Sequence, residues 1–256
     1  MLLAVDVGNT QTVMGLYRGE ELLYMWRIAT DKTSTSDELR LTLSGLLSND
    51  CVKVSDIKGL ALASVVPRLT TSWLEVSKRM LKRDAFVVDA RSAGSLFRTS
   101  YRNPNEIGAD RVADAVAAKS MYGAPVVVVD FGTATNMEVI DKDGVFIGGV
   151  IAPGLETSAA ALFSHASRLG AIELVDPHTA IGANTSEAVQ AGVVYGEADR
   201  VDGLIGRIFE QLGYHAFVVA TGGLAPSVAK SSKMINEVNS ELTLEGLRLV
   251  YANKEQ

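Results

Sequence analysis

Only one cysteine, Cys51, occurs in the 256 residues, so neither an internal disulfide framework nor a cysteine-cluster metal site can form. The formal net charge at pH 7 is −6 and no basic tract is visible, which argues against a nucleic-acid-binding surface. No apolar run reaches the roughly 20 residues that a membrane helix needs. The apolar start, Met1 to Val5, is too short for the core of a signal peptide and is interrupted by Asp6. We therefore expect a soluble, cytoplasmic protein with no nucleic-acid or membrane partner.

Three widespread functional motifs are also missing from the sequence. There is no Gly-x-x-x-x-Gly-Lys-Ser/Thr, which excludes a P-loop protein, and no Gly-x-Gly-x-x-Gly after a strand, which argues against a Rossmann dinucleotide site. There is no Gly-x-Ser-x-Gly nucleophile elbow, and the three histidines share no metal-ligand spacing. The composition of the whole chain is 47% apolar and 21% charged, which suits one large α/β domain or two domains of ordinary size.

The first informative pattern lies near the N-terminus, where an apolar run ends at an acidic residue. Leu2 to Val5 has the pattern of a buried strand, and Val13 to Tyr17 is a second apolar run at hairpin distance. Asp6 therefore lies where the first strand leaves the core, and a carboxylate there can hold a hard cation. Gly8 lets the backbone approach a bulky anion, and the amides that follow can form an anion-binding nest.

The same arrangement occurs again in the second half of the chain. Val126 to Val129 is an apolar run, and Asp130, Gly132 and Thr133 follow it in a second Asp-Gly-Thr turn. Asp6 and Asp130 lie 124 positions apart (130 minus 6), close to half the chain. One copy alone is most simply a β-turn. The pair in matching context predicts a duplicated fold, with a cleft between the halves that clasps a polyphosphate and a metal ion.

The elements around these turns predict an α/β fold of two lobes, each with a mixed β-sheet flanked by helices. A helix that opens at residues 108–111 joins the halves. We expect an N-terminal lobe at 1–115, with the first turn, and a C-terminal lobe at 116–256, with the second. Further expected features are a helix from about Asp37 capped by Ser36, breaks at Gly148-Gly149 and Pro153-Gly154, a helix near 155–169, a long helix from Asn184-Thr185-Ser186 to about Gly213, and a closing helix at 242–251.

A second group that could carry chemistry is Asp110-Arg111, which follows an Asn103-Pro104-Asn105 loop. Asp110 falls in the first turn of its helix, where the helix dipole stabilises a carboxylate. It is therefore either an ordinary helix-start acid or part of a substrate site. Arg111 either binds a carboxylate ligand through paired hydrogen bonds or forms a surface ion pair.

Two glycine patterns leave similar alternatives. Thr221-Gly222-Gly223 follows an apolar strand and either lets a flat base lie against the backbone or is simply a turn. Gly192 and Gly196 lie four positions apart on one helix face. They permit close helix packing, at an internal or a subunit contact.

These residues resemble the type III pantothenate kinases, a family within the actin-like ATPase and sugar-kinase superfamily. The resemblance covers nearly the whole chain and implies a duplicated actin-like, ribonuclease H-like fold. The Asp-Gly-Thr turns indicate only the superfamily, whereas Asn-Pro followed by Gly-Ala-Asp-Arg is specific to the family. The matching segments are Asp6-Val7-Gly8-Asn9-Thr10, Tyr101 with Asn103-Pro104-Asn105-Glu106-Ile107-Gly108-Ala109-Asp110-Arg111, Asp130-Phe131-Gly132-Thr133-Ala134-Thr135, residues 148–155, and Thr221-Gly222-Gly223-Leu224-Ala225.

The resemblance implies ATP-dependent phosphorylation of pantothenate to 4'-phosphopantothenate, the first step of coenzyme A biosynthesis, by a homodimer whose active site lies near the interface. Asp110 is the implied catalytic base. The implied pantothenate-binding residues are Tyr101, Gly108, Ala109, Asp110, Arg111 and Thr185. The implied ATP-binding residues are Asp6, Val7, Gly8, Asn9, Thr10, Gln11, Thr12, Val13, Thr133, Gly222 and Gly223. Asp6 would hold Mg²⁺, and Asp130 would hold a monovalent cation, K⁺ or NH₄⁺.

Two rival interpretations remain at this point. A non-catalytic regulator on the same fold could keep the strands and lose the chemistry, but the intact Asp6, Asp110, Arg111 and Asp130 count against it. The other rival is an actin-fold kinase for a different small hydroxylated metabolite. The Gly-Ala-Asp-Arg segment counts against that interpretation.

Overall fold

The computed structural model describes residues 1–165 and 172–254. Within these ranges the chain forms ten β-strands and eight α-helices. The strands are β1 (Leu2–Val7), β2 (Gln11–Arg18), β3 (Glu21–Ala29), β4 (Gly59–Ser64), β5 (Phe86–Val87), β6 (Val126–Phe131), β7 (Ala134–Ile140), β8 (Phe146–Pro153), β9 (Phe217–Thr221) and β10 (Glu237–Val238). The helices are α1 (Ser36–Asn49), α2 (Pro67–Val76), α3 (Ala109–Tyr122), α4 (Leu155–His165), α5 (Thr185–Gln190), α6 (Gly196–Leu212), α7 (Ala225–Val228) and α8 (Leu242–Asn253).

The first of two compact units contains residues 1–120 and 241–254. Its five-stranded sheet has the order β3-β2-β1-β4-β5, with β1 antiparallel to β2 and parallel to β4. Side chains of β1 and β4, such as Val5 and Leu62, are fully buried against apolar residues of α1 and α2, including Leu43 and Trp73. Helix α8 packs against β1, β2 and β4. The sheet is thus mixed and flanked by helices, as the order of the elements predicted from the sequence indicates.

The second unit contains residues 121–240. Its sheet has the order β10-β9-β6-β7-β8, with β6 antiparallel to β7 and parallel to β9. The core is formed by residues of β6 and α6 such as Val127, Val129, Val201 and Ile205. Position by position, β6 to β10 repeat the order and directions of β1 to β5. This repetition confirms the predicted fold class of two lobes, each with a mixed sheet and helices.

Several predicted boundaries differ from the structure. The closing helix α8 belongs to the first unit, and the division falls after residue 120, whereas the sequence placed one lobe at 1–115 and the other at 116–256. A side chain at Gly246 of α8 would overlap the Ala113 carbonyl of α3. This contact between residues 133 positions apart (246 minus 113) leaves no local signal.

The ends of individual elements show smaller differences. Helix α1 is capped by Thr35 rather than Ser36, because Thr35 and Glu38 form a reciprocal capping box. Gly148-Gly149 lies inside the edge strand β8 rather than in a break. The predicted helix near 155–169 is present to His165, and its last four positions lie outside the described residues.

The long predicted helix of the second half is present in three parts. Asn184 caps α5 through a side-chain bond from the Glu187 N–H, at 3.0 Å. A π-helical turn, Ala191–Tyr195, joins α5 to α6, and Gly213 ends α6 with a left-handed φ of 75°. The turn contains Gly192, and Gly196 begins α6. No helix in the described ranges has the length and apolarity to cross a membrane.

Candidate active site

The first Asp-Gly-Thr turn joins β1, the central strand of the first unit, to its neighbour β2. Asp6 is the penultimate residue of β1 and is half-buried, while Asn9 and Thr10 are exposed. The Gly8 N–H donates to the Gln11 carbonyl at 3.0 Å, and a side chain at Gly8 would crowd that oxygen. The turn therefore places a carboxylate at a strand end with exposed backbone beside it. This is the arrangement that the sequence predicted for a phosphate and metal site.

Thr30, which follows β3, braces this turn from one side. Its N–H donates to the Thr10 carbonyl at 2.8 Å, and its hydroxyl lies 2.8 Å from the hydroxyl of Thr12. The side chains of Val7 and Thr12 are buried, with at most 2% exposed. Because their side chains face the core, these two predicted ATP-binding residues can offer a ligand only their backbone. The Gln11 side chain is exposed and accepts from Arg27 at 2.7 Å.

Asp110, the predicted catalytic base, lies in the first turn of α3. Its Oδ1 accepts a hydrogen bond from the Arg111 N–H at 2.8 Å. Burial raises the pKa of the Asp110 carboxyl, and the Arg111 N–H and guanidinium oppose that shift. The carboxylate is therefore not an ordinary solvent-exposed acid, as the interpretation of a simple helix-start residue would require. A partly desolvated carboxylate is a better proton acceptor than a free one.

The residues around Asp110 shape this part of the first unit. A side chain at Gly108 would overlap Asp110 Oδ1, so only glycine leaves the carboxylate in its observed place. Arg111 is buried, with 8% of its surface exposed, and therefore is not the surface ion-pair residue that the sequence left possible. Tyr101 and Ala109 are half-buried.

The start of α3 lies near the end of β1. The Val65 N–H donates to the Val7 carbonyl at 3.1 Å, and Val65 Cγ1 lies 3.7 Å from the position of a Gly108 Cβ. The structure thus brings the predicted pantothenate segment and the first phosphate turn to one region of the first unit. Both predictions came from separate stretches of sequence, about 100 residues apart.

The second Asp-Gly-Thr turn repeats the first in the second unit. Asp130 is the penultimate residue of β6 and is half-buried, and Thr133 is exposed. The Gly132 N–H donates to the Ala134 carbonyl at 3.0 Å, as Gly8 does in the first turn. The Thr133 carbonyl accepts from the Gly154 N–H at 3.1 Å and from the Thr157 hydroxyl at 2.6 Å. The start of α4 thereby fixes the second turn.

The Thr221-Gly222-Gly223 segment, whose glycines are predicted to bind ATP, lies against this second turn. Gly222 has a left-handed φ of 91°. A Cβ at Gly222 would lie 2.5 Å from Asp130 Oδ1 and 2.6 Å from the Phe131 carbonyl oxygen. Any other residue at this position would therefore displace the Asp130 carboxylate. Gly223 is exposed beside it.

Thr135, at the start of β7, is held by a residue that the sequence did not single out. Its hydroxyl donates to Glu197 Oε1 at 2.6 Å, and both side chains are buried. Arg200 pairs with the same Glu197 carboxylate and donates to the Pro153 carbonyl at 2.6 Å. Because Thr135 and Glu197 are 62 positions apart, no local pattern could have revealed this link between the second turn and α6.

Thr185, the remaining predicted pantothenate-binding residue, opens α5 in the second unit and is exposed. Within the described ranges, no group of three or more His, Cys, Asp or Glu side chains forms a ready-made metal cage. Mg²⁺ does not require one, since it commonly binds through one or two carboxylates, substrate phosphates and waters. Asp6 at its strand end therefore fits the predicted metal role.

Solved structures of other proteins show the fold class of the chain. The activator of the 2-hydroxyisocaproyl-CoA dehydratase from Clostridium difficile with bound ADPNP aligns over 99% of this chain and 94% of its own, with a TM-score of 0.59 and 14% identity. The ROK hexokinase from Thermus thermophilus aligns over 99% of both chains, with a TM-score of 0.51 and 14% identity. The fold is the actin-like ATPase fold.

Sequence relatives narrow this class to one family. The model of the type III pantothenate kinase family matches residues 2–207. The type III pantothenate kinase of Desulfosudis oleivorans is 42% identical over 257 residues, which cover 100% of both chains. The chain belongs to the type III pantothenate kinase family, an ATP-using kinase family, and the resemblance noted in the sequence is confirmed.

Proposed function

We propose that the protein transfers the γ-phosphoryl group of ATP to the hydroxyl group of pantothenate, with Asp110 as the general base. The observation that carries this proposal is the half-buried Asp110 carboxylate at the start of α3, close to the first phosphate turn. Membership of the family supports the choice of substrate. Phosphoryl transfer requires mainly positioning and charge neutralisation, and the geometry of each unit suits those tasks.

In this proposal Asp110 accepts the proton of the attacking hydroxyl as the oxygen bonds to phosphorus. Gly108 keeps the space that the carboxylate needs, and Arg111 stabilises the pantothenate carboxylate. Backbone amides of residues 8–10 and the exposed Thr133 bind phosphate oxygens. The Gly222-Gly223 segment carries the adenosine.

We propose one cation for each unit. Asp6 is the residue that would hold Mg²⁺. A bound Mg²⁺ would neutralise part of the negative charge of the phosphates. Asp130 would hold K⁺ or NH₄⁺, because its half-buried carboxylate and the carbonyl of the adjacent Phe131 lie together at the end of β6. Carboxylate and carbonyl oxygens are the ligands that such hard cations take.

We further propose a homodimer whose interface lies near the pantothenate site. Among the large apolar side chains that the described part of the second unit exposes are Ile181 at 87%, Ile151 at 67% and Leu162 at 40%. Exposed apolar side chains of this size often mark an interface. Thr185, a proposed pantothenate residue, follows Ile181 by four positions. A site near the interface would account for both features.

The direct test is ADP release by the purified protein with ATP and Mg²⁺, in the presence and absence of pantothenate. We expect release that depends on pantothenate and a product of pantothenate mass plus one phosphoryl group. Release that is equal without pantothenate, or that requires another hydroxylated metabolite, would contradict the assignment of the substrate. No release with any acceptor would favour the non-catalytic regulator.

A further inference from the structure

Lys32 lies beside the first phosphate turn and has no role in the scheme above. Its Nζ donates to Asn9 Oδ1 at 3.0 Å. Asn9 is one of the exposed residues between β1 and β2, whose backbone is proposed to bind phosphate. Lys32 itself is exposed, in the loop between β3 and α1. Its ammonium group is therefore held next to the proposed phosphate position by a neutral partner.

The charge of Lys32 is not consumed by a neighbouring acid. Within the described ranges, Lys32 forms no ion pair with an aspartate or glutamate. The adjacent acid, Asp31, accepts instead from the Thr33 N–H at 2.8 Å and from the Thr33 hydroxyl at 2.6 Å. The Asp31 carboxylate thus stabilises the loop, and the Lys32 ammonium group remains available to bind an anion.

The loop that carries Lys32 is anchored at both ends. At its start, Thr30 donates to the Thr10 carbonyl of the phosphate turn itself. At its end, the Ser34 carbonyl accepts from the Ser72 hydroxyl of α2 at 3.3 Å, and Thr35 caps α1. Anchoring lowers the entropy that the lysine loses when it binds a ligand.

We propose that Lys32 binds the phosphates of the nucleotide, as the cation that a P-loop lysine supplies in other ATP-binding folds. This inference rests on the proposed function only in that the bound ligand is ATP. The chain has no P-loop lysine, and the backbone amides of the turn carry only partial charges. Lys32 adds a full positive charge at the same turn, where it neutralises a triphosphate more strongly than a diphosphate.

The test is the affinity of the full-length protein for ATP, ADP and adenosine, measured by titration calorimetry with Mg²⁺ and without pantothenate. In Lys32→Met we expect ATP affinity to fall about tenfold or more, since a hydrogen bond to a charged group is lost. ADP affinity should fall less, and adenosine affinity should not change. Lys32→Arg keeps the charge and should retain most of the ATP affinity. In steady-state assays the KM for ATP should rise more than kcat falls.

Lys53→Met is the matched control, because it removes the same charge from an exposed lysine of the same unit. Lys53 precedes Asp56, whose carbonyl accepts from the N-terminal ammonium at 2.8 Å, at the end of β1 away from the turn. It should bind ATP as the unmodified protein does.

Unchanged ATP affinity in Lys32→Met, or an equal loss for adenosine, would overturn the role of Lys32. Because the titration contains no pantothenate, it tests whether Lys32 binds ATP independently of whether pantothenate is the substrate. Absence of pantothenate-dependent ADP release would contradict the proposed function and leave the titration result valid.

Discussion

Asp110 is the residue at which the proposed chemistry is most directly tested. In Asp110→Asn the Arg111 N–H keeps an acceptor, because the asparagine side chain retains an oxygen in the position of Oδ1. The variant should therefore fold normally while its turnover falls about 10²- to 10⁴-fold, the usual cost of removing a general base. Pantothenate-dependent ADP release measures turnover, and thermal unfolding checks the fold. Near-normal turnover would show that Asp110 is only a helix-start acid.

The pH dependence of activity tests the same residue in a second way. Burial raises the pKa of Asp110 above its ordinary value of 3.8, and only the ionised form accepts a proton. As pH falls, kcat/KM should therefore decline at a higher pH than for an exposed aspartate. For a group whose pKa is higher in the folded than in the unfolded protein, the contribution to the free energy of unfolding is largest below the unfolded pKa. This contribution is lost as the pH rises through the folded pKa.

At neutral pH the ionised Asp110 thus lowers stability, and Asp110→Asn should unfold at an equal or higher temperature than the unmodified protein. Its advantage should shrink as pH falls below the raised pKa. An advantage that grows toward acid pH would contradict the raised pKa.

Asp130 carries the prediction for the monovalent cation. At fixed ionic strength and fixed Mg²⁺, replacement of K⁺ by Na⁺ or by a bulky organic cation should lower the rate, because the Asp130 carboxylate then loses the cation that it is proposed to hold. Asp130→Asn should remove the stimulation by K⁺ with the fold intact. Equal rates in the three buffers would reject the cation site.

At the scale of elements, the link between β7 and α6 determines how firmly the second turn is held. Thr135→Val preserves the shape of the side chain and removes the hydroxyl that donates to the buried Glu197. We expect a loss of about 1–3 kcal/mol in the free energy of unfolding, the cost of a buried polar group without its partner. Denaturant unfolding measures it.

Thr71→Val on the exposed face of α2 is the control, and it should change stability by less than about 0.5 kcal/mol. If the two variants lost equal stability, the buried bond would have no special role. Activity of Thr135→Val should fall as well, since Thr133 is two positions away.

The elements themselves were largely predictable, and the contacts between them were not. Apolar runs that end in Asp6 and Asp130 gave both central strands, because burial on two faces leaves a continuous apolar pattern. Asn184 gave the start of α5 because capping chemistry is local. The packing of α8 on the first unit, the Glu197 bond and the Lys32 contact depend on residues distant in sequence, for which local patterns carry no information.

At the scale of the whole molecule, the open glycines of the second unit bear on the proposed homodimer. The sequence left Gly192 and Gly196 as an internal or a subunit contact. Both are exposed, and a Cβ at either position would meet no other atom of the described residues within 4 Å. Neither glycine is therefore required by packing inside the described chain. Helix α4, which carries the exposed Leu162, contacts the π-helical turn that contains Gly192.

Gly192→Glu tests whether this face meets a second copy. The substitution finds open space in the single chain, and glutamate favours helix over glycine by roughly 0.5–1 kcal/mol, so the subunit should remain folded. At a dimer contact the added carboxylate would be buried without a partner, which is strongly unfavourable. Light scattering should therefore show a dimer for the unmodified protein and a monomer for the variant.

Gly45→Glu, at an equally open and exposed glycine of α1, is the control and should remain dimeric. If the interface helps to build the pantothenate site, the Gly192→Glu monomer should also lose pantothenate-dependent activity, whereas a fully active monomeric unmodified protein would reject the dimer.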